Sequence, residues 1–166
     1  MAFSIDELTK RITLGELEKK LSLDIPDDLK ARERKQLLEE IGEYIKIAML
    51  DLIGDQRSPV TGQEWKQLSK NYAAKKGSKE ANMDLNGDML DALDYKVVKD
   101  ELYVGWFDSD QAVKAYGHTT GMKDHPWLEG VTPKRKLIPN EKENFTAEIL
   151  SGIESVVKEF LDAREG

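Results

Sequence analysis

The sequence predicts an α+β fold, a small antiparallel β-sheet packed against long N- and C-terminal helices. Three features predict it. A 3.6-residue apolar stripe runs through Leu29, Leu37, Leu38, Ile41, Tyr44, Ile45, Ala48, Met49, Leu52 and Ile53. A second stripe, through Phe145, Ile149, Ile153, Val156, Val157, Phe160 and Leu161, closes the chain. Between them Tyr95–Val98 and Leu102–Trp106 flank the polar turn Lys99-Asp100-Glu101, with apolar residues alternating at 102, 104 and 106, the pattern of a hairpin. Helices that bracket a hairpin, instead of alternating with single strands, belong on one face of an antiparallel sheet.

Taken in order, Ser4-Ile5-Asp6-Glu7 and Thr13-Leu14-Gly15-Glu16 read as capping boxes and predict short helices near residues 5–11 and 14–22. Asp24-Ile25-Pro26-Asp27-Asp28 breaks the chain, and its acids suit the positive end of a helix over about 28–53. Arg32, Glu33, Lys35, Glu39, Glu43 and Lys46 fall mostly on the polar side of that helix, and Gly54 marks its end. Ser58-Pro59-Val60-Thr61-Gly62 is turn-rich. Short helices are expected over 67–76, ending at Gly77, and near 85–93. Residues 112–118 read equally as strand or helix. Glycines and prolines make 119–134 a long loop, the kind that serves function or motion. Leu137 and Ile138 suggest a short final strand before Pro139, and the last helix is expected from about 141 to 163, with Glu141 and Glu143 near its positive end. The organisation read from this pattern is an N-terminal helical extension, 1–27, and a single α+β domain, 28–166.

Composition narrows the function classes. A chain of 166 residues suits one domain with a modest core. Cysteine is absent, which removes disulfides, thiol catalysis and thiolate metal sites and fits synthesis in a reducing cytoplasm. The net charge of -7 opposes general nucleic-acid binding. The opening residues lack a basic region followed by an apolar run, and no apolar stretch reaches the roughly 18 residues of a membrane span, so no secretory leader and no membrane partner is expected.

No catalytic signature stands out. His118 and His125 are the only histidines, and they have no third metal ligand at workable spacing. In Asp84-Leu-Asn86-Gly87-Asp88 the residue at the sixth position of a calcium loop is Met89, where glycine is required. Gly117, Gly121 and Gly130 lack the spacing of a phosphate cradle, and no serine lies in a nucleophile elbow. No cofactor is expected. Arg57, Lys66, Lys70, Lys75, Lys76 and Lys79, interleaved with Trp65 and Tyr72, make residues 57–80 locally basic. That stretch suits either a phosphate backbone or an acidic partner subunit, and the acidity of the rest of the chain favours the subunit. Trp106, on a strand, belongs in the core, whereas Trp127 in the long loop is the better interface anchor and Trp65 fits either place. Together with Tyr116, His118 and Arg135 these give the candidate interface set Trp65, Lys70, Tyr72, Lys75, Lys76, Tyr116, His118, Trp127 and Arg135.

The order of short motifs from about residue 45 to 160 carries a resemblance. Thr61-Gly62-x-x-Trp65, Leu68-Ser69-x-x-Tyr72-Ala73 and Leu85-x-Gly87-x-Met89-Leu90 are followed by Ala115-Tyr116-Gly117 and Pro133-x-Arg135-x-x-Ile138-Pro139. This succession resembles the phage virion-morphogenesis or tail-completion proteins, although Ala115-Tyr116-Gly117 stands where a Gln-Phe-Gly element is usual, and the first 40 residues look like an extension outside the shared pattern. The resemblance implies a non-enzymatic structural protein of the virion neck or tail, made in the host cytoplasm, which completes the tail so that head and tail can join. It also implies a homo-oligomeric ring, a hexamer in preference to a dodecamer, that contacts other neck and tail proteins and lets DNA pass without specific binding. A tail terminator capping the tube is the nearest alternative, and a nucleic-acid-associated regulator is the alternative of another class.

Overall fold

The computed structural model describes residues 9–55, 57–63, 90–107, 137–139 and 142–165. Within them the chain forms β1 (Thr9–Thr13), α1 (Leu14–Leu21), α2 (Ala31–Gly54), β2 (Leu93–Val98), β3 (Glu101–Trp106) and α3 (Ala147–Glu165). The strands make one antiparallel sheet in the order β1-β3-β2, and α2 packs against both β2 and β3 on one side and against α3 on another. The fold is the expected α+β arrangement.

The central strand explains the sheet. Leu102, Val104 and Trp106 of β3 are fully buried, and they sit opposite Val97, Tyr95 and Leu93 of β2, so one face of the hairpin is apolar and meets α2. The turn is shorter than the sequence suggests. Val98 pairs with Glu101, leaving only Lys99 and Asp100 in the loop, with Lys99 at φ 57. Positive φ at the first loop position lets a two-residue turn follow the twist of its strands.

Residues 9–13, expected at the end of a helix, are instead strand β1, which pairs with β3 from Thr9↔Gly105 to Thr13↔Glu101. The alternation was masked by a lysine at an inward position. Lys10 and Ile12 both face the core, and the Lys10 stem is buried while its Nζ donates to the Glu143 carbonyl at 3.0 Å. Thr13 then caps α1, its Oγ1 accepting the Glu16 N–H at 3.2 Å, while the Glu16 carboxylate turns toward Arg11 at 3.8 Å. The other proposed box, at Ser4, lies outside the described residues. Ile12, Leu14, Leu17 and Ile25 share one core with α2, the hairpin and α3, so residues 9–27 are built into the domain and are not a helical appendage.

Both long helices start later than their acids suggest. Asp27 and Asp28 do not cap α2; Lys30 is its first flanking residue, and Glu33 accepts the Lys30 N–H at 3.1 Å. The closing helix begins at Ala147 and not near 141, because Thr146 Oγ1 accepts the Ile149 N–H at 3.2 Å and leaves Phe145 buried ahead of the first turn. Leu137 and Ile138 are core residues, but they form no strand. Residues 90 and 91 are helical and β2 begins at Leu93, which places that helix end two residues earlier than expected; the helix over 67–76, segment 112–118 and loop 119–134 lie outside the described residues.

Two glycines set the spacing of the layers. A Cβ at Gly42 would lie 2.6 and 2.8 Å from the Tyr95 ring and 2.9 Å from Leu102, and one at Gly152 would lie 1.7 Å from the Tyr44 hydroxyl. Gly15 and Gly54 have nothing within 4 Å of such an atom. Gly42→Ala is therefore expected to lower stability by about 1–3 kcal/mol despite the better helix propensity of alanine. Gly152→Ala should cost less, since the half-buried Tyr44 can swing aside, and Gly15→Ala should raise stability by roughly 0.5–1 kcal/mol. Urea unfolding midpoints of the three variants check the order; Gly42→Ala as stable as the unchanged protein would contradict this packing.

Candidate functional site: the two ends of the helix pair

α2 and α3 run antiparallel, and ion pairs close the pair at each end. At one end Arg164 of α3 meets Glu33 at 2.6 Å and Asp28 at 3.5 Å. At the other Arg57, just past α2, meets Glu148 in the first turn of α3 at 3.0 Å. Arg57 also donates from Nε to the Gly62 carbonyl at 3.0 Å, inside a turn held by the buried Ser58, whose Oγ accepts the Val60 and Thr61 N–H groups. Thr146 N–H reaches the Pro59 carbonyl at 3.0 Å and ties this turn to the start of α3. Arg57, read from sequence as the first member of a basic stretch, thus clamps the turn to α3; the lysines of that stretch lie outside the described residues.

The opposite end carries an open groove of about 430 Å³ lined by Ala31, Arg32, Arg34, Lys35, Val97, Lys99 and Asp100. Arg34 is engaged internally: its Nε contacts Asp100 at 3.0 Å and its Nη1 donates to the Leu29 carbonyl. Arg32, Lys35 and Lys99 enter no ion pair among the described residues, so this groove is cationic on an acidic chain. Val98 on the hairpin beside it is 48% exposed. Further along α2 the exposed face turns acidic at Glu39, Glu40 and Glu43, and then apolar at Ile47, which is 51% exposed. Burial first, and then its bond to Glu43, push the Tyr95 phenol above its ordinary value, so this tyrosine keeps its proton and can donate to that carboxylate.

The candidate interface residues Trp65, Lys70, Tyr72, Lys75, Lys76, Tyr116, His118, Trp127 and Arg135 all lie outside the described residues. Trp106 is fully buried, as expected of a core residue. The sequence reading missed the groove, because Arg32 and Lys35 had been assigned only to a polar helix face and Lys99 only to a turn; their convergence follows from how the hairpin lies on α2. Among the described residues no group of three or more His, Asp or Glu side chains is placed to hold a metal ion, and no helix is long and apolar enough to cross a membrane.

Set beside known proteins, the sequence of this chain points to phage virion morphogenesis. Residues 18–162 match the phage virion morphogenesis family, and the chain belongs to it. The match starts well before residue 45, so all of α2 falls within the shared pattern, and the expectation that the first 40 residues stand outside it is corrected for residues 18–40. No curated protein and no solved structure matches the chain.

The clamp at the groove end makes a pH prediction. The Lys30 N–H and then the Arg164 guanidinium hold the Glu33 carboxyl below the ordinary glutamate value of 4.5. A carboxyl lowered by folding contributes stability that is complete above its unfolded value and is lost as pH falls through the lowered one. Glu33→Gln should therefore be less stable than the unchanged protein at neutral pH, with the gap closing as pH drops below about 4.5. Urea midpoints across an acid series check this; a gap that does not change with pH would remove the clamp from the account.

Proposed function

We propose that this protein is a structural component of the virion neck that completes the tail and joins it to the filled head, without enzymatic activity of its own. The observation that carries the reading is the family match over residues 18–162, which spans α2, the hairpin and α3 and so covers nearly the whole scaffold. In this reading copies of the chain form a ring, a hexamer in preference to a dodecamer, that contacts other neck and tail proteins and surrounds the path of the DNA. A ring built by rotation joins two different patches on neighbouring copies, and a chain that displays both cationic and acidic exposed surfaces has the means to do so. The net charge of -7 suits a channel wall that repels passing DNA instead of retaining it.

The test is functional joining. Heads and tails from particles lacking this protein should remain separate and combine into infectious virions when the purified protein is added. Native mass spectrometry of the added protein should show a closed oligomer, alone or on tail tubes. Restored joining with the protein bound between head and tail supports the neck position; binding to the tube end with no effect on joining favours the tail terminator. Strong salt-dependent DNA retention with no effect on particles would sink both and leave the regulator.

A further inference from the structure

We infer that the cationic groove at the start of α2 is one half of a contact between copies of this chain, and that its occupant is the acidic, apolar-tipped stripe of α2 on a second copy. The groove side consists of Arg32, Lys35 and Lys99 with exposed Val98 beside them; the other side is Glu39, Glu40 and Glu43 with exposed Ile47. This inference deepens the ring reading above and rests on it.

Helix stability does not explain these charges. Cations are unfavourable near the positive end of a helix and acids near its negative end, yet around the well-placed Glu33 α2 begins with Arg32, Arg34 and Lys35, and it ends with Asp51 and Asp55 and no basic residue in its last turn. α3 follows the favourable order, with Glu148 in its first turn and Arg164 in its last. Nor are Arg32, Lys35 and Lys99, or Glu39, Glu40 and Glu43, paired with opposite charges within one copy among the described residues, although Glu43 accepts the Tyr95 hydroxyl. Lys35 and Glu39 stand four residues apart without forming an ion pair, the cation preceding the acid in the weaker of the two orders. Lys35 and Glu43 are separated by about 12 Å of helix rise, beyond easy pairing and near the screening length of physiological salt.

The two apolar residues choose between kinds of occupant. Val98 and Ile47 are the exposed large hydrophobic side chains among the described residues, and each adjoins one of the two charged patches. An apolar contact ringed by charge is the anatomy of a protein interface, whereas a phosphate backbone offers nothing for a valine or an isoleucine to cover. The acidic complement need not come from another protein. Glu40, Glu43 and Ile47 lie at i, i+3 and i+7 on one exposed stripe of the same chain, so a second copy presents the missing half.

Two charge-reversed variants of the full chain test this, Arg32→Glu with Lys35→Glu, and Glu39→Lys with Glu40→Lys. All four residues lie on α2, so circular dichroism and thermal melting first establish that both variants fold. By sedimentation velocity at low salt, each alone should associate about a hundredfold more weakly than the unchanged protein, since like charges then face each other. Mixed in equal amounts, the two should recover association, because the reversed groove of one now meets the reversed stripe of the other. Unchanged association of either variant overturns the inference, as does a mixture that fails to recover, a wild-type chain that stays monomeric, or a groove whose reversal abolishes binding of duplex DNA. If the variants assemble normally while the unchanged protein joins heads to tails, only this contact is lost. If the mixture recovers but no form of the protein joins heads to tails, the neck reading falls and the contact stands.

Discussion

Everything in the described structure is organised by how closely other elements approach the backbone of α2. At Gly42 the sheet comes near enough that the Tyr95 ring and Leu102 occupy the space a side chain would need, and at Gly152 the backbone of α3 lies against the more yielding side chain of Tyr44. Close-packed interiors tolerate little error in such spacing, so the hairpin and α3 are both placed by reference to one helix. The fully buried residues of α2 (Leu37, Leu38, Ile41, Ile45 and Met49) fill the remaining gaps, and Trp106 closes the far end of the sheet. α2 is therefore a shared wall between two layers, and its exposed stripe is the one side that no other described element covers.

The N-terminal segment shows the same economy of construction. β1 supplies a second neighbour for β3, so the central strand has its backbone groups paired on both sides. Lys10 and Lys20 then hold the residues that lead into α3, through the Glu143 carbonyl and the Asn144 side chain. One short stretch thereby secures the sheet and fixes where the last helix begins. The ion pairs at the two ends of the helix pair are partly exposed and contribute little individually. Their value is geometric, since they hold antiparallel helices in register at both ends.

Much of the fold was legible because it rests on periodicity. The apolar stripes of α2 and α3 and the alternation of β3 are direct consequences of 3.6- and 2-residue repeats, and each emerged where the pattern placed it. β1 was hidden because one inward position holds a lysine, whose buried stem counts as apolar in the fold but not in the pattern. Helix starts were misplaced for a related reason: acids near a helix N-terminus advertise its field, but the first residue is decided by which oxygen reaches a free N–H, here Glu33 and Thr146. The groove was illegible in principle. Lys99 is more than 60 residues of chain from Arg32 and Lys35, and only the register of the hairpin against α2 brings it to them.

The strength of a contact made from these patches follows from their size. Two partly exposed aliphatic side chains and a few screened charges bury far less surface than a permanent dimer requires, so a single pairwise contact of this kind is weak. In the ring proposed above each copy would make the contact twice, the second intramolecularly once the others are in position, so avidity would supply what one interface lacks. Arg32, Arg34 and Lys35, set against the dipole of α2, cost the isolated chain some stability and would lose part of that penalty beside the opposite charges of the proposed neighbour. Under that proposal the same arrangement that is unfavourable in the free subunit would favour the assembled one.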